Sequence, residues 1–128
     1  MQLQDRVYLA GEKIDPYHHM EDASLMLVGS LYEGFPNVVL EAGTLGIPVI
    51  AFNAPGGIPE IITDGENGLL VKDNDEKAFS TAIERALSLN FDRNKIIANT
   101  KKRYSLNAIV AETEALFIKL LSSGSRVK

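Results

Sequence analysis

Residues 25–52, LMLVGSLYEGFPNVVLEAGTLGIPVIAF, decide the fold. They hold two short apolar runs, LMLV at 25–28 and PVIAF at 48–52. A continuous apolar run bounded by turn residues fits a strand covered on both faces. Between the runs, residues 29–35 read as a loop and residues 36–45 as a helix, which Gly46 ends. Pro48 stands at the first position of its strand, where a missing N–H is tolerated. Strand, helix and strand in that order, with apolar strands, predict a parallel sheet covered by helices.

The reading extends outward in both directions. RVYLA at 6–10 has strand composition and is closed by Gly11. DPYHHMED at 15–22 reads as a short helix, with Asp15 as cap and Pro16 in the first turn. After the second strand come a turn at 53–57 (NAPGG), a helical turn at 58–62, a turn at 64–68 (DGENG) and a strand at 69–71. From residue 74 onward only helices are expected, over about 76–89, 92–103 and 106–121. The first of these carries Ala78, Phe79, Ala82, Ile83, Ala86 and Leu87 as a stripe. The last carries Ile109, Val110, Leu116, Phe117, Leu120 and Leu121. Both stripes are expected to be core or docking faces. The fold class is therefore α/β: a Rossmann-like parallel sheet with helices on both faces and a helical C-terminal end.

Composition narrows the function. At 128 residues the chain fits one domain with a real core. Hydrophobic content of 45% and charged content of 23% are ordinary for a globular domain. No apolar run approaches the ~18 residues of a membrane span, and MQLQDRVYLAG lacks signal-peptide regions. There is no cysteine, so disulfides and thiolate metal sites are excluded. A net charge of -4 argues against nucleic acid as a partner. His18 and His19 lack a carboxylate or third ligand at metal spacing and read as ordinary surface or partly buried residues.

The chemistry concentrates at Glu33 and Glu41, eight positions apart around a glycine turn. In parallel sheets of this kind, ligands bind beyond the carboxyl ends of the strands. That rule places Glu33 and residues 34–37 at the ligand edge. A helix N-terminus leaves about four N–H groups free and attracts an anion by roughly 0.3–2 kcal/mol. Gly34 lets a ligand approach the backbone. An ionised glutamate only accepts hydrogen bonds. Two such acceptors flanking an N–H cluster suit a diphosphate with hydroxyl-bearing groups on either side. The plain alternative is that Glu41 favours the helix dipole and Glu33 is a surface loop residue.

SLYEGFPNVVLEAGTLGIPVIAFNAPGGIPEIITDGENGLLV closely resembles the donor-binding half of retaining glycosyltransferases of the family-4 (group 1) type, which have a two-domain Rossmann-like (GT-B) fold. Glu33 and Glu41 match that family's two glutamates. Gly34, Phe35, Pro36 and Asn37 match the loop, and Gly46, Pro48 and Val49 the next strand entry. Gly57, Pro59 and Glu60 match its Gly-x-Pro-Glu turn, and Asn67 and Gly68 open its following strand. The resemblance implies that Glu33 meets donor-sugar hydroxyls near the reacting carbon and Glu41 the ribose hydroxyls. It implies that the N–H groups of Gly34, Phe35, Asn37 and Val38, in the turn with Pro36, hold sugar and phosphate oxygens. Gly11 and Glu12 would lie beside the base. The anomeric configuration would be retained, with no cofactor and no metal.

The resemblance also implies absences. Residues 1–128 would be a partial C-terminal nucleotide-sugar-binding domain, without the acceptor domain and without the first donor-domain strands. An Arg/Lys pair that neutralises the diphosphate has no counterpart here. Arg6 and Lys13 stand in the wrong context. A charge-assisted hydrogen bond contributes roughly 1.5–3 kcal/mol, so losing two costs about two to four decades of affinity. Alone, the chain should bind donor weakly and transfer nothing. In the strand order 3-2-1-4-5-6, residues 6–10 lose their neighbours and residues 25–28 gain an open edge. Either residues 6–10 move beside residues 25–28, or chains self-associate through that edge.

The expected partners are a nucleotide-sugar donor, first a uridine diphosphate (UDP) sugar and then guanosine diphosphate mannose, and a saccharide or lipid-linked acceptor held by the missing domain. The product would belong to polysaccharide or lipopolysaccharide assembly, in the cytoplasm or peripherally at the inner membrane face. The alternatives are a non-catalytic nucleotide-sugar-binding module and a sugar-nucleotide epimerase.

Overall fold

A computed structural model of the chain describes residues 4–72 and 75–123. Strands β1 (Met26–Val28), β2 (Val49–Phe52) and β3 (Gly68–Val71) form one parallel sheet in the order β1-β2-β3. Leu27 registers with Ile50, and Ile50 with Leu69. The helices are α1 (Pro16–Met20), α2 (Asn37–Thr44), α3 (Ile58–Ile61), α4 (Glu76–Ser88), α5 (Arg93–Tyr104) and α6 (Leu106–Ser122). The expected α/β, Rossmann-like architecture is present, and helices end the chain's described part.

The two-residue period of a strand divides β2 between two cores. Val49 and Ala51 join Val28, Val39, Ala42, Ile58 and Ile61 beneath α2 and α3. Ile50 and Phe52 join Leu69, Val71 and Ala86 beneath α4. Phe52 and Phe79 pack with ring centroids 4.7 Å apart. The stripe predicted on α4 therefore reaches the core through Ala78, Phe79, Ala82 and Ala86, while Leu87 faces outward.

Arg93 ties this frame together. Its Nη2 donates to the carbonyls of Glu21 and Leu45, 3.0 Å each. Those carbonyls close the C-terminal ends of α1 and α2. A cation at two helix C-termini satisfies orphan acceptors and opposes the negative ends of both dipoles.

One expectation is corrected and one is narrowed. Residues 6–10 form no strand and do not lie beside β1; they are irregular, with Tyr8 81% and Leu9 89% exposed. Strand composition alone forms no ladder: a strand exists only where a neighbour supplies the hydrogen bonds. Among the described residues β1 pairs with β2 alone, so its other edge is open there, as the strand order implied. The stripe on α6 is not core. None of its residues is buried, and it packs against α5. α2 and α3 cover one face of the sheet, and α4 covers β2 and β3 on the other. β1, expected to be covered on both faces, leaves Leu27 50% exposed beside Ile50, because no helix among the described residues crosses that part of the sheet.

Candidate functional site

The loops that follow β1 and β2 leave the sheet at its carboxyl edge and are laced together. The Glu33 N–H donates to the Pro55 carbonyl at 3.4 Å. The Gly57 N–H donates to the carbonyls of Glu33, at 3.2 Å, and Gly34, at 2.9 Å. Glu33 and Gly56 form an isolated parallel bridge. This lacing carries the β1–β2 pairing past the ends of the strands. It needs the glycines. Gly56 has φ +116°, and a Cβ there would land on the Glu33 carbonyl. A Cβ on Gly57 would lie 2.8 Å from the Gly34 oxygen.

The laced loop feeds α2, whose N-terminus is open. Pro36 is its N-cap and offers no side-chain acceptor. By contrast, Asp15, Asp75, Asp92 and Ser105 each accept from N–H groups at the starts of α1, α4, α5 and α6. Among the described residues, the N–H groups of Gly34, Phe35, Asn37 and Val38 have no acceptor, whereas Val39 donates to Pro36 at 3.0 Å. Two of these donors, Asn37 and Val38, open α2 at its positive end, and two, Gly34 and Phe35, lie in the loop that leads into it.

Glu33 precedes this cluster and Glu41 follows it, four positions past Asn37 on α2. Both are half-buried. Neither carboxylate has an ion pair or hydrogen bond among the described residues, where the ion pair present is His18–Glu21 at 2.9 Å. The structure therefore brings Glu33, Gly34, Phe35, Pro36, Asn37, Val38 and Glu41 into one continuous element. Among the described residues no hydrogen bond joins Gly11 or Glu12 to it; both lie in the exposed irregular segment. Among the described residues no group of three or more His, Cys, Asp or Glu could hold a metal ion.

The surroundings add residues that sequence reasoning missed. The Phe35 ring meets the Tyr104 ring edge-on, centroids 6.4 Å apart at 61°. Tyr104 Oη donates to the Glu60 carbonyl at 3.1 Å, and Arg103 Nη2 donates to the same oxygen at 2.8 Å. The Arg103 guanidinium lies 4.9 Å from the Tyr104 ring centre. Burial raises the Tyr104 pKa above its ordinary 10.0; Arg103 pulls it down and Glu60 pushes it up. No motif marks these two residues, which lie more than sixty positions from the loop. Gly56 did carry a signal, the Pro-Gly-Gly run at 55–57.

The site is an open rim rather than a closed cleft. A hollow of about 510 Å³ lies elsewhere, between β3 and α4, lined by Lys72, Asp75, Lys77, Thr81 and Arg85 among others. Its lining includes none of residues 33–38 and not Glu41, so the hydrogen-bonding geometry is the better guide to the chemistry.

The sequence pattern of the glycosyl transferases group 1 family matches residues 1–103. The chain belongs to that family. This group 1 glycosyltransferase chain is 37% identical over 130 residues to an exopolysaccharide phosphotransferase of Streptomyces coelicolor, covering 94% of this chain and 13% of that protein. Its fold matches the apo lipopolysaccharide outer core galactosyltransferase WaaB with a TM-score of 0.82. That match has 26% identity and covers 92% of this chain and 35% of that one. Anabaena HepE in complex with UDP and glucose matches with a TM-score of 0.69 and 30% identity, over 88% of this chain and 33% of that one. The chain thus spans about a third or less of the proteins it resembles.

Proposed function

We propose that this group 1 glycosyltransferase chain is the donor-binding part of a longer retaining enzyme. That enzyme would move a sugar from a nucleotide donor to a saccharide or lipid-linked acceptor in polysaccharide or lipopolysaccharide assembly. The observation that carries this reading is the loop and open N-terminus of α2, with four free N–H groups between two unpaired glutamates. UDP is the first candidate nucleotide, supported by the similarity to HepE with UDP and glucose. Guanosine diphosphate is the second.

The roles are those the family resemblance implies, and the free donors and unpaired carboxylates support them. Free N–H groups of residues 34–38 bind oxygens of the diphosphate and sugar. Glu41 accepts from the ribose hydroxyls. Glu33 accepts from sugar hydroxyls, and its carboxylate stabilises positive charge on the reacting carbon as the bond to the diphosphate lengthens. The departing diphosphate leaves on the face that the acceptor oxygen enters and takes that oxygen's proton, so the new bond forms with configuration retained. Gly11 and Glu12 would reach the base once residues 6–10 are paired in the longer chain. No cofactor or metal takes part in this scheme. The acceptor domain and the cationic pair for the diphosphate come from the rest of the enzyme. The chain alone therefore binds donor weakly and transfers nothing. A lipid-linked acceptor would draw the enzyme to the inner membrane face. No helix among the described residues is long and apolar enough to cross a membrane.

One finding favours a second reading. The Streptomyces coelicolor relative is named for phosphoryl rather than glycosyl transfer, although the match covers 13% of it. Free N–H groups at a helix start suit either chemistry, because both hold phosphate oxygens. An amide-resolved titration of the chain with UDP and with guanosine diphosphate tests the main reading. Shifts at residues 34–38 and 41, absent in Glu41→Gln, support it. Equal shifts with inorganic phosphate alone favour the second reading, and none with any ligand sinks both.

A further inference from the structure

We propose that Tyr104, the last residue of α5, is a positioning residue for the loop of residues 33–38. It holds the Phe35 ring edge-on and fixes the α3 turn through the Glu60 carbonyl. Its meaning for catalysis rests on the reading of that loop as the donor site.

The lacing by Gly57 fixes the loop's backbone only at Glu33 and Gly34. Phe35, the next residue, has no backbone hydrogen bond among the described residues, and its ring is half-exposed. Its N–H is one of the four free donors, so the orientation of this peptide decides where that donor points. The described ring contact that can set the orientation is Tyr104. Edge-to-face aromatic pairs hold a geometry as well as an area.

Tyr104 is itself held from several directions. It packs against the core beneath α2 and α3. Its hydroxyl shares the Glu60 carbonyl with Arg103, whose guanidinium also lies over its ring. Glu60 belongs to α3, which starts directly after Gly57. One side chain therefore touches both halves of the laced pair: the β1 loop through Phe35 and the β2 loop through Glu60. The far end of α5 is anchored by Arg93 to the ends of α1 and α2. A rigid strut thus sets the height of the loop from behind.

The test compares the wild-type chain, Tyr104→Phe and Tyr104→Leu by amide exchange and by UDP titration. Gly57 reports the lacing and Ile50 the sheet core. Losing the ring edge in Tyr104→Leu should speed Gly57 exchange roughly two- to tenfold more than Ile50 exchange, and weaken UDP by a similar factor. Tyr104→Phe keeps the edge contact and should recover most of the nucleotide affinity. Equal acceleration at Gly57 and Ile50 in both variants would make Tyr104 a mere packing residue and overturn the proposal. Unchanged Gly57 exchange would overturn it too. If wild type binds no UDP yet Gly57 responds as stated, the donor reading falls and the positioning role stands.

Discussion

Helices α2 and α6 carry similar apolar content and meet opposite fates. α2 has eight residues and buries Val39, Ala42 and Gly43. α6 has seventeen residues, with Leu106, Ile109, Val110, Leu116, Phe117, Ile118, Leu120 and Leu121, and buries none of them. The difference lies in connection. α2 joins two adjacent parallel strands, and a crossover of that kind must lie on the sheet. α6 follows α5, and among the described residues it leads to no strand. An apolar stripe says that a helix can be buried; the sheet decides which helix is.

The comparison yields the largest expected effect. Ile50 is fully buried in the centre of the sheet, and Ile50→Ala should cost about 2–5 kcal/mol. Phe117 is 60% exposed, and Phe117→Ala should stay within about 0.5 kcal/mol. Urea unfolding of the two variants gives both numbers. A cost of several kcal/mol at Phe117 would break the contrast, because it would mean that α6 is covered in solution.

The same logic separates what was legible in the sequence from what was not. The β1–α2–β2 unit was legible because both of its strands are apolar on both faces and Gly46 marks the helix end. Observed bounds fall within a residue of the expected ones: Leu25 and Pro48 drop out of their strands, and α2 runs from Asn37 to Thr44. Residues 6–10 were misread because β-branched and aromatic composition reports what a strand would be made of, not whether a neighbour exists. The glutamates were legible because they share one local stretch with the loop. Tyr104 and Arg103 were not, because their link to the loop exists only after α5 packs on α2.

Within the site, a second contrast sharpens the role of the lacing. Gly34 follows Glu33, the bridge partner of Gly56, yet a Cβ on Gly34 would meet nothing within 4 Å. Gly56→Ala should cost about 2–4 kcal/mol, from its left-handed φ and the collision with Glu33. Gly34→Ala should leave unfolding within about 1 kcal/mol and act instead on nucleotide binding. Equal stability losses in the two variants would show that the lacing is not what holds the loop.

The capped helices supply a smaller effect to set against open α2. Asp92 accepts from the Lys95 N–H at 3.0 Å, and Asp92→Ala should cost about 1 kcal/mol. Because α5 carries Arg93 next to this cap, the loss should also loosen the ends of α1 and α2. Faster amide exchange at Gly46 and Ala23 would register it. No change at either would confine Arg93 to a local role.

The smallest effect expected is on alkaline stability, and it reads the Tyr104 contact directly. The Tyr104 pKa is raised above 10.0 in the folded chain, first by burial and then by Glu60, against the pull of Arg103. A raised pKa means that the fold favours the neutral phenol. The associated stability is whole below about pH 10 and drains away as pH climbs from there through the folded value. The phenolate also cannot donate to the Glu60 carbonyl. Tyr104→Phe removes this titration. Tyr8, Tyr17 and Tyr32 remain in both chains, so the difference between them isolates Tyr104. Wild type should exceed Tyr104→Phe in stability by a constant margin from pH 7 to 9, and the margin should shrink above pH 10. A margin that grows with pH would mean that the ionised ring is held better than the neutral one, by Arg103 rather than by the Glu60 carbonyl. The strut behind Phe35 would then be electrostatic in origin, and its strength would fall with added salt.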